Sequence, residues 1–267
     1  YWGKDLAFNA GQHNVDEIRY DFYGDGGVIF EAFKAGEFST FREGNVAKWE
    51  TEYDFPAVQD GRIVKSEIPH QRPSGIRGFV MNTRREKFQD WRVREALILA
   101  FNFEFMNDVI TGGAQKRITS YFSGSFLGMQ PGAATGRVRD LLSPFAETLP
   151  AGVLEGYALP VSDGTKRNRA NLRAAQKLLA EAGWSAADGT LRNASGDAFA
   201  FKILLASGAG ELTAFANIYS QALKRLGIKA EVEAVDNAQY FARQNTCDFD
   251  MTNIRPAVPL SPVKKQK

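Results

Sequence analysis

A glycine-rich turn is the part of this sequence whose spacing is closest to that of a chemical site. Gly208 and Gly210 lie between an apolar, strand-like run and a helical pattern that begins near Glu211. Glycines in such a turn let backbone amides approach the phosphates of a nucleotide at a helix N-terminus. Thr213 replaces the third glycine of that pattern, and the acidic Asp236 lies further on than the usual ~20 residues. An ordinary strand–helix turn is therefore favoured, and a nucleotide-dependent oxidoreductase is the alternative.

The cysteine and the histidines offer little catalytic or metal chemistry. Cys247 is the only cysteine, which excludes an internal disulfide, and the acidic Asp248 and Asp250 beside it disfavour a thiolate nucleophile. His13 and His70 lie far from it along the chain and are too few for a zinc site. Two carboxylates without the rest of a calcium-loop pattern do not predict a calcium site. We therefore expect no catalytic residue, no metal and no cofactor, which favours a binding protein over an enzyme.

The charge distribution does not indicate a nucleic-acid surface. The chain has 33 basic and 31 acidic residues, a net charge of +2, and three of the lysines are Lys264, Lys265 and Lys267 near its end. The basic run at residues 84–87 is interleaved with acidic residues and is typical of a solvated turn that leads into a helix. No apolar run reaches the ~20 residues of a membrane span. We expect a monomer with no nucleic-acid partner and no membrane insertion.

The patterns of the first half predict scattered elements. Alternation of apolar and polar residues predicts strands over residues 15–22, 63–68 and 76–81, and a short helix ends before Gly36. From residue 90 the period is helical as far as residue 113. Residues 119–168 are rich in glycine, proline and serine, which predicts a surface excursion with one short helix.

The last third predicts a strand–helix–strand unit. A helix over residues 171–182 and a turn at Asp188 and Gly189 precede an alternating strand over residues 199–205. A helix that ends at Gly227 and a strand over residues 228–235 follow. Two strands joined by a crossover helix are expected to be parallel, so the fold class is α/β.

Five motifs in the same order resemble the family 5 extracellular solute-binding proteins, the substrate-capturing subunits of ABC importers. The longest is NTRREKFQDWRVREAL at residues 82–97, which resembles the family signature N…PF.D.RVR.AL. The others are YWGK at 1–4, FKAGE at 33–37, LLAEAGW at 178–184 and LKRLGI at 223–228. The segments QRPSG at 71–75 and SYFS at 120–123 resemble the YejA-type oligopeptide branch in particular.

The resemblance implies part of a two-lobed periplasmic-binding-protein fold of class II, cluster C type. Residues 1–78 would be the C-terminal portion of the first lobe, and residues 79–255 the first part of the second ligand lobe. Residues 256–267 would be a divergent tail rich in proline and lysine. The resemblance also implies a fragment that lacks both termini of the family. The implied function is capture of oligopeptides in the periplasm, with the permease subunits of an ABC transporter as partners.

The order of the motifs suggests where a ligand would bind. Residues 74–79 would cross between the lobes, so their backbone would face the cleft, where a peptide can be held as an added strand. We expect Arg77 to bind a carboxylate, Phe79 to form an apolar wall, and Ser74 and Gly75 to make main-chain contacts. Asn82 is expected to make a structural bond at the end of a strand. An α/β interaction module without a small ligand is a further alternative.

Overall fold

The computed structural model describes residues 2–3, 5–7, 9–12, 15–70, 72–150 and 152–254. Its helices are α1 (Gly26–Lys34), α2 (Val46–Thr51), α3 (Pro56–Gln59), α4 (Trp91–Ala100), α5 (Phe103–Thr111), α6 (Gly136–Leu142), α7 (Arg169–Glu181), α8 (Gly210–Lys224) and α9 (Asn237–Asn245). Its strands are β1 (Gly78–Met81), β2 (Ser185–Ala187), β3 (Thr190–Arg192), β4 (Ala200–Ala206), β5 (Lys229–Val235) and β6 (Met251–Ile254). None of the described helices is long and apolar enough to cross a membrane. The predicted tail over residues 256–267 and His13 lie outside the described residues.

Four strands form a mixed sheet in the order β1-β6-β4-β5. β4 pairs in parallel with β5, with Ala200 opposite Lys229, and also in parallel with β6. β1 is antiparallel to β6, with Gly78 opposite Ile254. β2 and β3 form a separate antiparallel hairpin. The parallel pair joined by a helix is thus confirmed, and the fold is α/β.

Two faces of this sheet are covered, and β4 is buried on both. Ile203 and Leu205 face the larger core, which they share with α4, α7 and α8, and Leu204 faces a smaller cluster under α9. All three side chains are at most 1% exposed. On α8, Phe215 and Tyr219 are buried at helical spacing, as the stripe of apolar residues predicts. We call residues 78–254 the sheet region.

The helical pattern that begins at residue 90 is divided between two helices. Asp90 caps α4, because its Oδ1 accepts a hydrogen bond from the backbone amide of Arg92 at 2.8 Å. The backbone is extended at Phe101, and α5 starts two residues later. The Phe101 ring packs against Tyr219, and the side-chain amide of Asn102 donates to the Thr165 carbonyl at 2.7 Å. Contacts that are remote in sequence therefore interrupt a pattern that looks continuous.

Residues 23–65, which we call the aromatic region, pack around a cluster of aromatic rings. α1 ends at Lys34 before Gly36, whose φ of +82° suits glycine, so the predicted helix is confirmed. Its buried residues are Phe30 and Phe33. The ring of Phe30 contacts Tyr53 at 5.2 Å between centroids, and Phe33 stacks on Phe41 at the same separation. Ring contacts, rather than a sheet, order this part of the chain.

Two strands predicted for the first half are wrong. Residues 15–22 and 63–68 form no strand, and Tyr20 and Phe22 are 75% and 94% exposed. Alternation describes which side chains share a face, but a strand also needs a neighbour for its amides and carbonyls. Among the described residues no such neighbour lies beside these segments. In the third predicted strand, over residues 76–81, only residues 78–81 form a strand, which is β1.

Residues 119–168 run over the surface, as predicted. α6 and the single 3-10 turn that follows it form the expected short helix, and Val138 and Leu141 on α6 are more than half exposed. The segment is held against α5 at a few points, among them a hydrogen bond that the backbone amide of Ser162 donates to the carboxylate of Glu104 at 2.9 Å.

Candidate binding site

The two helical connections of the parallel strands run to opposite sides of β4. α8 carries the chain from β4 to β5 on one side, and α9 carries it from β5 to β6 on the other. In open α/β sheets, such a reversal opens a crevice beyond the carboxyl ends of the strands, where ligands bind. β1 is antiparallel to β6, so its first residues reach the same edge. We call this place the carboxyl edge.

The glycine turn at the carboxyl edge is covered by the aromatic region. Gly208 has a φ of +80°, and a Cβ there would lie 2.8 Å from the amide nitrogen of Gly26 and 3.0 Å from a carboxylate oxygen of Asp25. The Asn237 side chain donates to the carbonyl of Gly24 at 3.2 Å. The start of α1 and the carboxyl edge therefore lie in direct contact.

This contact argues against the nucleotide-binding alternative. The turn that would cradle a phosphate faces the carboxylate of Asp25, which repels an anion. Thr213 turns its hydroxyl back to the carbonyl of Ala209 at 2.9 Å. Asp236, which would have to bind a ribose, instead caps α9 by accepting from the amide of Gln239 at 2.9 Å. These groups are already used in holding the fold together.

Arg77 lies at the carboxyl edge, next to the first turn of α8. Its guanidinium lies 3.6 Å from Oε1 of Glu211 in the first turn of α8, and the same oxygen accepts from the Gln115 side chain at 3.0 Å. The Glu211 side chain is only 9% exposed, and its Oε2 is buried with no hydrogen-bond partner among the described residues. Arg77 itself is one-third exposed. The site thus presents a cation backed by a buried, incompletely satisfied carboxylate.

Sequence reasoning did not find Glu211 or Gln115. An acidic residue in the first turn of a helix is favoured by the helix dipole alone, so Glu211 gave no distinct signal. Gln115 follows α5 by four residues and is placed by the course of the backbone there. Only the packing of α5 against α8 brings the two together.

Phe79 lies on the inner face of β1. Its ring is parallel to that of Tyr219, with 6.2 Å between centroids, and makes an edge contact with Phe101 at 6.1 Å. The Tyr219 hydroxyl donates to the Leu97 carbonyl at 2.9 Å, and burial raises the pKa of this phenol well above its usual range. Phe79 therefore belongs to an aromatic stack at the margin of the core.

Ser74 and Gly75 are tied to the chain itself. The Ser74 amide donates to the carbonyl of Ser123 at 2.8 Å, and its hydroxyl to the carbonyl of Gly75 at 3.0 Å. Gly75 is buried with a φ of +67°. The Ser74 amide is therefore already used by an internal bond. The structure brings Arg77 to the carboxyl edge with β1 beside it, and leaves Ser74 at the surface excursion.

β1 offers backbone groups on its outer side. The Asn82 amide donates to the carbonyl of Asp250 at 2.9 Å, which continues the ladder with β6. Since alternate residues of an antiparallel strand face opposite sides, the amides and carbonyls of Phe79 and Met81 face away from β6. β1 is the last strand of the sheet among the described residues. Its outer edge can therefore accept an extended chain.

Asn82 makes the structural bond that the sequence predicts. Its side-chain amide donates to the carbonyls of Cys247 and Phe249 at 2.9 and 2.8 Å, and it is 4% exposed. Cys247 is half-buried and has a φ of +57°, a conformation that suits this close turn.

The basic run at residues 84–87 forms the predicted turn, and two of its cations, Arg85 and Lys87, have acidic or carbonyl partners. Arg85 lies 3.2 Å from Asp248 and 3.5 Å from Asp250, and Lys87 donates to the Ala200 carbonyl at 2.6 Å. The acidic residues next to Cys247 thus link the segment before β6 to the turn at residues 84–87. Among the described residues, no group of three histidine, cysteine or acidic side chains is placed to hold a metal ion.

The chain is similar to bacterial binding proteins along its whole length. It is 39% identical over 274 residues to the peptidoglycan-binding protein YepA of Agrobacterium fabrum, which covers 100% of the chain and 44% of that relative. It is 41% identical over 256 residues to a protein of the same organism named probable peptide-binding protein YejA, covering 94% of the chain and 41% of the relative. The chain thus spans less than half the length of these relatives.

A solved structure shares the fold. The oligopeptide-binding protein AppA from Bacillus subtilis, in complex with a nonapeptide, superposes with a TM-score of 0.64 at 18% identity, covering 89% of this chain and 40% of that one. The chain therefore has part of the fold of the family 5 periplasmic binding proteins. Residues 1–258 match the family described as bacterial extracellular solute-binding proteins, family 5 Middle. The chain belongs to the family 5 bacterial extracellular solute-binding proteins.

Proposed function

We propose that this chain is the part of an ABC-importer substrate-binding subunit that captures oligopeptides, with the ligand held along β1 at the carboxyl edge. One observation carries the proposal: β1 is the last strand of the sheet in the part of the chain that the structure describes, and the partly exposed guanidinium of Arg77 lies directly before that strand. The names of YejA and of AppA, with its bound nonapeptide, support a peptide as the ligand class.

An extended peptide fits the chemistry of this edge. It would pair its backbone with the amides and carbonyls of Phe79 and Met81, as an added strand does. Arg77 would bind a ligand carboxylate with its remaining donors, while Glu211 holds the guanidinium in place. Phe79 would support the strand from the core side, and Ser74 and Gly75 would fix the approach to it.

The two regions correspond to the two lobes in this proposal. Residues 1–78 would belong to the first lobe and residues 79–255 to the second, with the crossing at residues 74–79. The start of α1 meets the carboxyl edge at Gly208 and Asn237, where closure of one lobe on the other would bury a ligand. The subunit would work in the periplasm as a monomer and deliver its ligand to the permease subunits of the transporter.

The test is calorimetric titration of the protein with a tri- to pentapeptide library. Arg77→Gln is expected to weaken binding at least about 30-fold, because truncating one partner of a buried charge pair costs about 2–5 kcal/mol. The control is Arg84→Gln, which removes an exposed arginine outside the site. Peptides with an amidated C-terminus or a methylated backbone nitrogen are also expected to bind more weakly.

Two outcomes would contradict the proposal. If Arg77→Gln binds the library as tightly as the unmodified protein, the carboxylate is not read at this edge. If peptidoglycan fragments bind and unmodified peptides do not, the ligand class follows the name of YepA and oligopeptide capture is wrong.

A further inference from the structure

Two adjacent hollows lie at the far end of α8 from the carboxyl edge. The first, which we call the apolar groove, runs between α5 and α8, has a volume of about 380 Å³ and is walled by Phe105, Val109 and Ile218. The second, which we call the basic hollow, has a volume of about 390 Å³ and lies at the start of α7. Arg225 lines both, so the two form one continuous surface.

The cations of the basic hollow form no ion pair among the described residues, and only Arg169 is near enough to the Asp163 carboxylate to help, after the hydrogen bonds from Thr165, to lower its pKa. Arg167, Arg169, Arg173 and Arg225 line the hollow, and none of them lies within 4.0 Å of a carboxylate there. Other arginines of the sheet region do form such pairs, as Arg117 does with Glu104 and Arg243 with Glu233. Four guanidinium groups around one hollow repel one another, and an anion would relieve that repulsion.

A hydrogen bond to the backbone of the loop before α7 fixes the position of the Arg225 guanidinium. The guanidinium donates to the carbonyl of Lys166 at 2.7 Å, and Lys166 also lines the apolar groove. The nearby carboxylate of Asp163 is engaged by Thr165, which donates to it from both its amide and its hydroxyl. Arg225 is thus held where the basic hollow and the apolar groove meet.

This surface is separate from the carboxyl edge. Glu211 lies in the first turn of α8 and Arg225 directly follows its last residue. A helix of 15 residues is about 22 Å long. A ligand at Arg225 therefore does not touch the proposed peptide site.

We propose that the two hollows together bind an amphipathic anion: a phosphate monoester whose head lies among the four arginines and whose alkyl or aryl chain lies in the apolar groove. A phosphate monoester carries close to two negative charges at neutral pH and three acceptor oxygens, which suits several guanidinium forks better than a single carboxylate does. The groove extends from Asn102 to Val109, about 10 Å along α5, which accommodates a short chain. This site goes beyond peptide capture and does not depend on it.

The test is calorimetric titration of the protein with octyl phosphate at low ionic strength. Octyl phosphate is expected to bind at least about tenfold more tightly than inorganic phosphate or octanol, because both hollows are then filled. The double variant Arg169→Glu and Arg173→Glu is expected to weaken binding at least about tenfold. Val109→Trp, which fills the groove from a position that is already 58% exposed, is expected to weaken octyl phosphate but not inorganic phosphate.

The matched control is the double variant Arg137→Glu and Arg139→Glu on α6, which makes the same charge change outside both hollows. It is expected to keep the affinity for octyl phosphate within about twofold, and circular dichroism checks that every variant is folded. Equal binding of inorganic and octyl phosphate would overturn the proposal, as would equal loss in both double variants. Binding to phosphatidylglycerol vesicles with none to octyl phosphate would also overturn it, since the partner would then be a membrane surface.

Discussion

The aromatic region is held together mainly by contacts among side-chain rings and lysines, whereas the sheet region is held together by paired strands that helices cover. Phe30 lies between Lys34 and Lys48, whose ammonium groups are 4.4 and 4.8 Å from its centroid, and it contacts three other rings. In the sheet region, by contrast, β4 is paired on both sides and buried on both faces. The aromatic region has local contacts between single side chains, whereas the sheet region has a shared ladder and a shared core.

This difference predicts which of the two regions unfolds first. Backbone hydrogen bonds in a buried sheet break only when the core opens, so the sheet region should unfold as one unit. The aromatic region depends on a few rings and on its contact with the carboxyl edge at Gly208. The aromatic region is therefore expected to open before the sheet region.

The largest effect is expected from a substitution in the sheet core. Ile203→Ala should lower the free energy of unfolding by about 2–5 kcal/mol. The Ile203 side chain is fully buried between the sheet and the helices, so its truncation leaves a cavity. The measurement is urea unfolding followed by circular dichroism and by Trp fluorescence. A matched control is Val232→Ala on β5, which is only partly buried and should cost less. Equal costs at the two positions would mean that β4 is not the centre of the core.

An intermediate effect is expected in the aromatic region. Phe30→Leu keeps an apolar side chain but removes three ring contacts and the ring over which two lysines lie, each worth about 0.5–1.5 kcal/mol. The loss should be local: amides of residues 26–59 should exchange faster, and those of β4 should not. Val28→Leu on the exposed face of α1 is the control. Faster exchange in β4 would show that the two regions unfold together.

The smallest effect is expected from pH at the outer strand of the sheet. Hydrogen bonds from Lys202 and then from Arg243, each at 3.0 Å, hold the pKa of Glu233 below its usual range. The stability that this carboxylate contributes is present above its ordinary pKa of about 4.3 and is lost as the pH falls through the lower folded value. Because the groups are partly exposed, the contribution is a few tenths of a kcal/mol, up to about 1.

The check is the difference in unfolding free energy between the unmodified protein and Glu233→Gln at pH 7 and at pH 2.5. The variant should be slightly less stable at pH 7, and the difference should vanish in acid. The control variant is Glu50→Gln, which removes an exposed carboxylate from α2 in the aromatic region. A difference that persists in acid would attribute the effect to packing instead of charge.

The sequence by itself determined the unit from α7 to β5, because each element there carries its own periodic pattern and its own end signals. Gly227, with a φ of +79°, follows α8, and Asp236 caps α9. The motifs shared with family 5 are short continuous stretches of sequence, so they are visible without knowledge of the fold. Local physics is enough for such features, since they depend on residues within a few positions of one another.

Only the tertiary structure decided which strands exist in the first half and which residues form the site. Residues 15–22 alternate like a strand, but no strand of the described residues lies beside them, whereas the short β1 exists because β6 offers a partner. Arg77 meets Glu211, and Asn82 meets the carbonyl of Cys247, across more than a hundred residues of sequence. A hydrogen bond or ion pair between distant segments leaves no periodic trace in either, so its partners become visible only when the chain has packed.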